Sequence, residues 1–419
     1  MEGNSKINLR KNGLNLKLLL TDRVMLISYF FLAIAAFGLV EMIYERYFLL
    51  SATALDAGLH PASTEMAAAM KEAVFGSGGE VKRESPWSLY IVNYMYMIYV
   101  GSGIIFLVAV AELFEVEIIL KPAAGFLTLG LSMVLAGLFT IMADLNVLNL
   151  HWMVLSPQYN SGMWLMLPLY MVIIPLAILE VYLIVNHQKK WIKKVAFLIV
   201  IVALLVEFVE FYIQAKLFNM NSARHLWTSY PLLPLYFMIS SFAASIAIMG
   251  LYSYIVCKNI ILMYTLERIA FAFVVALGSY EVVSYLFIDK KWAQIILFGS
   301  FKYYFYLYIL LAAIIPAVLL FKHYMHNYFK LIASLSIIAG TYLGKAIFVY
   351  GGNAYPMSDR FGVGFEKYGE YKEVKDIIFF MPPLSEIAIV IGSVGVILFV
   401  YRSADLLFGI TAMQKIDLK

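Results

Sequence analysis

Ten long apolar stretches, separated by shorter polar segments, set the pattern of this 419-residue chain. Each is about as long as the 20 apolar residues that an α-helix needs to cross a bilayer. The stretches do not show the roughly ten-residue alternation of membrane β-barrel strands. The pattern predicts ten transmembrane helices, near residues 24–50, 87–113, 122–143, 163–186, 194–216, 229–255, 260–287, 301–321, 329–350 and 384–410.

The composition indicates membrane insertion along the whole chain. Hydrophobic residues make up 63% and charged residues 14%, whereas soluble domains hold about half and about a quarter. We therefore predict an all-α polytopic membrane protein without a separate soluble domain. Residues 1–419 are expected to form one integral membrane domain, with a core at 85–350 and flanking helices at 24–50 and 384–410.

Lysine and arginine residues near the spans predict the orientation. Loop 187–194 holds four lysines, whereas loop 144–162 holds no lysine or arginine. Further basic residues precede the first apolar stretch. Cytoplasmic loops are enriched in these residues, so we predict a multi-pass protein of the cytoplasmic (inner) membrane with both termini in the cytoplasm.

Cysteine and histidine usage argues against a prosthetic group held by this chain. The one cysteine, Cys257, excludes an internal disulfide and a self-held iron–sulfur cluster. The six histidines fall in loops or at helix ends, where they cannot supply the facing ligands of a membrane haem. We predict no metal site, and no haem or iron–sulfur cluster bound by this chain.

Acidic residues inside the apolar stretches are the strongest functional signal. A carboxylate in hydrocarbon costs at least about 2.5–3.5 kcal/mol, so it persists where it is protonated, paired or facing a polar cavity. Alternating helix directions place Glu207, Glu210 and Glu281 in the outer half of the membrane, with Asp144 at the outer end of the third helix. We predict that these four acids are catalytic and exchange protons. In the alternative, Lys345 or an external lysine neutralises them structurally.

Two features refine this outer layer. Glu207 and Glu210 are three residues apart and share a helix face. Two close carboxylates cannot both be ionised cheaply, which suits one of them to carry a proton. Asn93 and Tyr94 lie at the same depth, and a tyrosine can stack on a quinone ring and donate to its carbonyl. Most of the 30 tyrosines are instead expected to pack or to face lipid.

Fewer acids mark the inner half. Glu112, Glu180 and Glu267 could form a proton path from the cytoplasm to the outer acids. Alternatively, Glu267 is an interfacial charge near a helix start, and Glu180 extends towards the lysines of loop 187–194. The sequence leaves both interpretations open.

Several segments carry recognisable motifs. Residues 143–183 read ADLNVLNLHWMVLSPQYNSGMWLMLPLYMVIIPLAILEVYL, and SPW at 85–87 opens the second span. RHLWTSYPLLPLYFMISSFAASIAI begins at Arg224, and MPPLSEIAIVIGSVG begins at Met381. In order and spacing, these segments resemble the NrfD/PsrC family of quinone-interacting membrane subunits, over about residues 85–405. The last two resemble its HybB-like branch, and ten spans suit HybB-like or DsrP-like members.

The resemblance implies a fold, a ligand and partners. It implies a core of two four-helix bundles, with a quinone (menaquinone or ubiquinone) bound near the outer face. Electrons would be exchanged with a ferredoxin-like iron–sulfur subunit, itself linked to a multihaem cytochrome, a molybdopterin enzyme or a hydrogenase. Asp144 matches the family's Asp-Leu motif and His225 its HPLW motif, and Lys345 stands where HybB-like members tend to have Arg. Expected quinone contacts are Asn93, Tyr94, His151, His225 and Lys345.

The leading functional expectation is therefore a non-autonomous subunit of a quinone-dependent respiratory oxidoreductase. Its partners would be membrane lipid, quinone and further redox subunits, and not nucleic acid. A proton-coupled secondary transporter is the alternative, because prolines interrupt several spans, although paired halves are not apparent. A purely structural membrane anchor of a redox complex would explain the helices but not the buried acids.

Overall fold

The structure, a computed structural model, describes residues 16–44, 87–145, 154–185, 190–220, 226–227, 232–287, 296–321, 327–354 and 382–411. These residues form helices and short connections, and they contain no β-strand. Ten of the described helices are long and apolar enough to cross a membrane, which confirms the predicted all-α, multi-pass fold. They are α1 (Arg23–Ile43), α2 (Leu89–Leu113), α3 (Ala123–Asp144), α4 (Gly162–Val185), α5 (Lys190–Asn219), α6 (Leu233–Ile255), α7 (Ile260–Phe287), α8 (Lys302–Phe321), α9 (Asn327–Ala354) and α10 (Leu384–Phe408).

Successive helices run in opposite directions. We call the side where α2 begins and α3 ends the upper face, and the opposite side the lower face. At the upper face the Glu386 carboxylate, at the start of α10, accepts hydrogen bonds from the Ser88 hydroxyl and, at 3.0 Å, from the Tyr90 N–H. Glu386 thereby caps the start of α2, which otherwise has unpaired N–H groups.

Two antiparallel groups of four helices form the body of the protein. The first bundle contains α2 to α5, and the second contains α6 to α9. Within the first, α2 and α3 approach closely, because a Cβ at Gly101 would lie only 2.6 Å from the Gly130 carbonyl oxygen. The bundles meet along α2 and α6, where the Ser245 hydroxyl donates to the Val100 carbonyl at 2.8 Å. Small residues permit such close backbone packing between membrane helices.

The outermost pair, α1 and α10, packs together and lies against α3. Asp22 precedes α1 and accepts hydrogen bonds from the backbone N–H groups of Val24 and Met25. The same carboxylate binds Arg402 of α10, with 2.7 Å between the guanidinium nitrogen and Oδ2. Asp22 therefore caps one helix and ties it to the other at the lower face.

A local irregularity in α8 shapes the second bundle. Leu310–Ile314 form one turn of π-helix, which releases backbone groups from the regular α-helical hydrogen bonding. The Ser336 hydroxyl of α9 donates to the Leu311 carbonyl at 2.7 Å. A Cβ at Gly340 would overlap the backbone of Ala312, so the glycine lets α9 pack directly on the turn.

Stacked aromatic rings join the two bundles at the upper face. The Trp87 and Trp227 rings are stacked with centroids 4.7 Å apart, and Phe218 packs edge-on against both. The Trp227 indole N–H donates to the Phe348 carbonyl of α9 at 2.8 Å. Trp227 is fully buried, so this contact fixes the start of α2 against the end of α9.

Candidate functional site

A cavity of about 520 Å³ lies at the upper ends of α2, α3, α4 and α5. Most of its wall is apolar. Met142 of α3 and Met171 of α4 line it although they are largely exposed, Met171 by 69%. The cavity therefore opens sideways between α3 and α4, towards the surroundings of the transmembrane helices. The side chains with polar groups in its lining are Trp87, Tyr94, Asp144, Tyr170 and Gln214.

A buried hydrogen-bond network forms the polar side of the cavity. The Gln214 amide nitrogen donates to the Tyr170 hydroxyl at 2.6 Å and to Glu210 Oε1 at 2.7 Å. The Tyr170 hydroxyl donates to the same carboxylate oxygen at 3.2 Å, and the Tyr94 and Tyr170 hydroxyls are also 3.2 Å apart. Residues of α2, α4 and α5 are thus joined through hydroxyl, amide and carboxyl groups that can exchange or orient a proton.

Behind this network two acidic side chains share one buried position. Glu207 is 2% and Glu210 0% exposed. They interact directly with each other, and both lie beside the Ser102 hydroxyl of α2. Because two adjacent anions in an apolar interior repel strongly, this pair is suited to hold one proton between two carboxyl groups.

The local sequence explains the arrangement. Glu207, Glu210 and Gln214 are separated by three and four residues, so they project from one face of α5. Pro175 of α4 also lines the cavity. Proline has no N–H to donate to the carbonyl four residues earlier, which belongs to Met171. The helix is thereby loosened at the level of the opening.

The structure separates the two neighbours Asn93 and Tyr94. Tyr94 lines the cavity, as does Asp144, the half-buried last residue of α3. Asn93 points away from it, since its amide nitrogen donates to the hydroxyls of Thr140 and Ser393 at 3.0 and 3.1 Å. Successive helical residues lie about 100° apart, so equal depth does not bring both side chains to one site.

Glu281 and Lys345 form a separate group in the second bundle and do not line the cavity. The Lys345 ammonium donates to the Ser240 hydroxyl at 2.8 Å and lies 4.3 Å from the Phe237 ring centroid. Glu281 accepts a hydrogen bond from the Tyr308 hydroxyl at 2.7 Å and interacts electrostatically with Lys345. Lys345 therefore interacts with Glu281 in the second bundle and lies apart from the pair Glu207 and Glu210.

The three acids of the lower half also divide between the bundles. Glu112 and Glu180 belong to the first bundle, where Glu180 interacts electrostatically with both Glu112 and Glu207. Glu267 belongs to the second, where it forms an ion pair with Lys330 at 3.2 Å. Only the first two are thus connected electrostatically to the acidic pair near the cavity.

Two expected quinone contacts cannot be located, and two residues of the network were not expected from the sequence. His151 and His225, both expected to contact quinone, lie outside the described residues. Sequence reasoning did not select Tyr170 and Gln214. The spacing of Gln214, four residues after Glu210, could have indicated it, whereas Tyr170 joins the network only through the packing of α4 on α5.

Comparison with known proteins adds no family assignment. No protein-family model matches this chain, and no curated protein matches it. The cavity and the groups around it are therefore the basis for inferring the function of this chain.

Proposed function

We propose that this protein is the membrane subunit of a respiratory redox complex and that it binds quinone or quinol in the cavity of the first bundle. One observation carries the proposal: a sideways-open apolar cavity meets a buried network that ends at Glu210. The motif resemblance to the NrfD/PsrC family supports the same function. A transporter would need a polar path for its solute, whereas this cavity has an almost wholly apolar wall.

The residues present fit a quinone head group with an isoprenoid tail. The opening at Met142 and Met171 suits entry of an apolar tail from the bilayer. The Tyr94 hydroxyl can turn its O–H from Tyr170 to a quinone carbonyl oxygen. Gln214 Oε1 is buried and has no hydrogen-bond partner in the described part of the chain, so it can accept from a hydroxyl. Such a combination of apolar walls and a few polar groups is typical of small-molecule sites.

The chain's own side chains would handle the protons. A bound quinol releases two protons and two electrons when it is oxidised, and a quinone takes up the same number when it is reduced. Tyr170 and Gln214 hold Glu210 Oε1 in place. Glu210 then takes or gives a proton beside the cavity, and Glu207 exchanges it next. Preorganised acid–base groups of this kind accelerate proton transfer.

The partners and orientation belong to the same proposal. The electrons would pass to a ferredoxin-like iron–sulfur subunit at the upper face, and onward to a multihaem cytochrome, a molybdopterin enzyme or a hydrogenase. The four lysines of residues 187–194, just before and in the first turns of α5, assign the lower face to the cytoplasm by the positive-inside rule. Both termini then lie in the cytoplasm, and the cavity lies near the outer face of the inner membrane.

Turnover in membranes that contain the assembled complex tests the proposal. We expect Glu207→Gln and Asp144→Asn to lower quinol oxidation by about 10²-fold, as loss of a general acid–base group does, while assembly stays intact. Glu117→Gln is the matched control, since Glu117 is an exposed acid at the lower face. Full turnover in both Glu207→Gln and Asp144→Asn would contradict the assigned roles.

Binding tests the location separately. Met142→Trp places a bulky ring at the cavity opening, whereas Met220→Trp changes an exposed methionine outside it. We expect the first variant to weaken binding of a menaquinone or ubiquinone analogue to the full chain in nanodiscs, and the second to bind normally. Equal binding by both variants and the wild type would place the quinone elsewhere.

A further inference from the structure

Four carboxyl groups of the first bundle follow one another from the cavity towards the lower face. Glu210 and Glu207 interact near the cavity, Glu207 interacts with Glu180, and Glu180 interacts with Glu112. Ser102, beside the upper pair, and Glu112 are ten residues apart on α2, which corresponds to about 15 Å along the helix axis. The row therefore extends from the acidic pair to the last turn of α2.

Glu180 is the least expected member of this row. It is 3% exposed, and neither carboxyl oxygen has a hydrogen-bond partner among the residues that the structure describes. Glu112 faces it from α2 and Glu207 from α5. The third neighbouring helix, α3, has no titratable residue from Ala123 to Ala143. A buried carboxylate without a partner is costly, so packing against the described residues gives no reason for an acid here.

Glu112 supplies the connection to the aqueous side. It is half-buried and lies one residue before the end of α2 at the lower face. Exposed residues 113–117 follow it. A proton that reaches Glu112 can therefore exchange with water, whereas Glu180 is buried beside Glu112 and Glu207.

We propose that Glu180 and Glu112 conduct protons between the Glu207–Glu210 pair and the lower face. In each step one O–H bond breaks on a carboxylic acid and one forms on the neighbouring carboxylate, with water relaying the proton between them. No electron moves, and one proton enters at one end for each proton that leaves at the other. The use of this route during turnover depends on the proposed quinone function, but its existence does not.

The described residues of the second bundle do not form an equivalent row of acids. Glu267 is held by Lys330, whose ammonium also lies over the Tyr264 ring. An adjacent ammonium favours the ionised form of a carboxylate, whereas a proton carrier must also take the protonated form. Of the three lower acids expected for a proton path, the proposal uses Glu112 and Glu180, whereas Glu267 forms an ion pair with Lys330.

Carbodiimide labelling of the full chain in liposomes tests the route without any quinone. Dicyclohexylcarbodiimide enters apolar regions and adds to protonated carboxyl groups, and mass spectrometry then quantifies the product at Glu207. The pH is changed rapidly on one side only, in vesicles whose chain orientation has been determined by protease access. We expect labelling of wild-type Glu207 to follow the pH at the lower face and not at the upper face.

Variants make the test specific. Glu180→Gln and Glu112→Gln should slow the response of Glu207 to the lower-face pH by about 10²-fold, and Glu180→Asp should restore most of it. Glu117→Gln, at the exposed lower surface, should respond normally. A purely structural role for Glu180 would leave the sidedness and the rate unchanged in any folded variant. Labelling that follows the upper-face pH, or an unaltered rate in folded Glu180→Gln, would overturn the proposal. If the route exists but quinone analogues do not bind, only the proposed function fails.

Discussion

The Gln214 side-chain amide lies 2.6 Å from the Tyr170 hydroxyl oxygen, and this contact joins α5 to α4 at the cavity. The same amide nitrogen donates to Glu210 Oε1. A group bound in the cavity can therefore influence a buried carboxyl group through one tyrosine and one amide. Because networks of this kind are costly when partly satisfied, each member should affect both binding and stability.

Removal of the Tyr170 hydroxyl should weaken quinone binding. In Tyr170→Phe, the Gln214 amide and Glu210 lose a shared partner without a change in ring packing. Loss of a buried hydrogen bond costs about 1–3 kcal/mol, so we expect affinity for a quinone analogue to fall about tenfold. Titration of the full chain in nanodiscs measures this change.

Tyr182→Phe is the control for this prediction. Tyr182 lies on the same helix and is 53% exposed, outside the cavity lining. We expect it to bind the analogue as the wild type does. If Tyr170→Phe also binds normally, the network does not contact the quinone head group.

The hydrophobic pattern predicts how deep a residue lies in the membrane better than it predicts which helices pack against each other. The ten apolar stretches and their directions predict that Glu207, Glu210, Glu281 and Lys345 lie in the same half of the membrane. Depth follows from 1.5 Å of rise per residue, which the sequence supplies directly. Which helix faces which depends on close approaches such as that of Gly101 and Gly130, and apolar periodicity does not encode these pairings. Glu207 and Glu210 therefore lie in the first bundle and Glu281 in the second, although the sequence predicts the same depth for all three.

Gly352, which contacts the Trp227 ring, should be important for stability. A Cβ at Gly352 would overlap the buried Trp227 indole, and the aromatic cluster leaves the ring little room to move. Overpacking costs about 1–3 kcal/mol, so Gly352→Ala should lower the thermal unfolding temperature in detergent. Gly278→Ala is the control, because its Cβ would meet only Ala313 at an ordinary 3.7 Å. Equal unfolding temperatures in the two variants would show that Trp227 is not fixed here.

The ion pair of the second bundle should behave as a structural unit. Removal of one partner of a buried pair costs about 3–5 kcal/mol, whereas apolar replacement of both can be neutral. We therefore expect Lys330→Met to destabilise the protein strongly, and addition of Glu267→Leu to recover much of the loss. A double-mutant cycle of unfolding free energies measures the coupling. Additive losses would mean that Lys330 and Glu267 do not stabilise each other.

The ion pair between Asp22 and Arg402 joins α1 to α10 and should make the stability of the protein depend on pH. Arg402 donates hydrogen bonds to both carboxylate oxygens of Asp22 and holds the pKa of Asp22 below its ordinary value of 3.8. Because the pKa is lower in the folded state, the stabilisation is fully present above the ordinary value. It is lost as the pH falls through the lowered pKa of the folded protein.

Two substitutions separate the charge of Asp22 from its capping role. Asn still caps α1 but removes the charge, so Asp22→Asn should cost about 1 kcal/mol at neutral pH, and this difference from wild type should shrink as the pH falls below 3.8, the ordinary pKa of Asp22. Asp22→Ala should lose about 1 kcal/mol more at every pH, because the backbone N–H groups of Val24 and Met25 lose their acceptor. Thermal unfolding in detergent, followed by circular dichroism from pH 7 down to about 3, measures both. If Asp22→Asn differs from wild type by the same amount at the lowest pH as at neutral pH, the charge of Asp22 is not what binds α10 to α1.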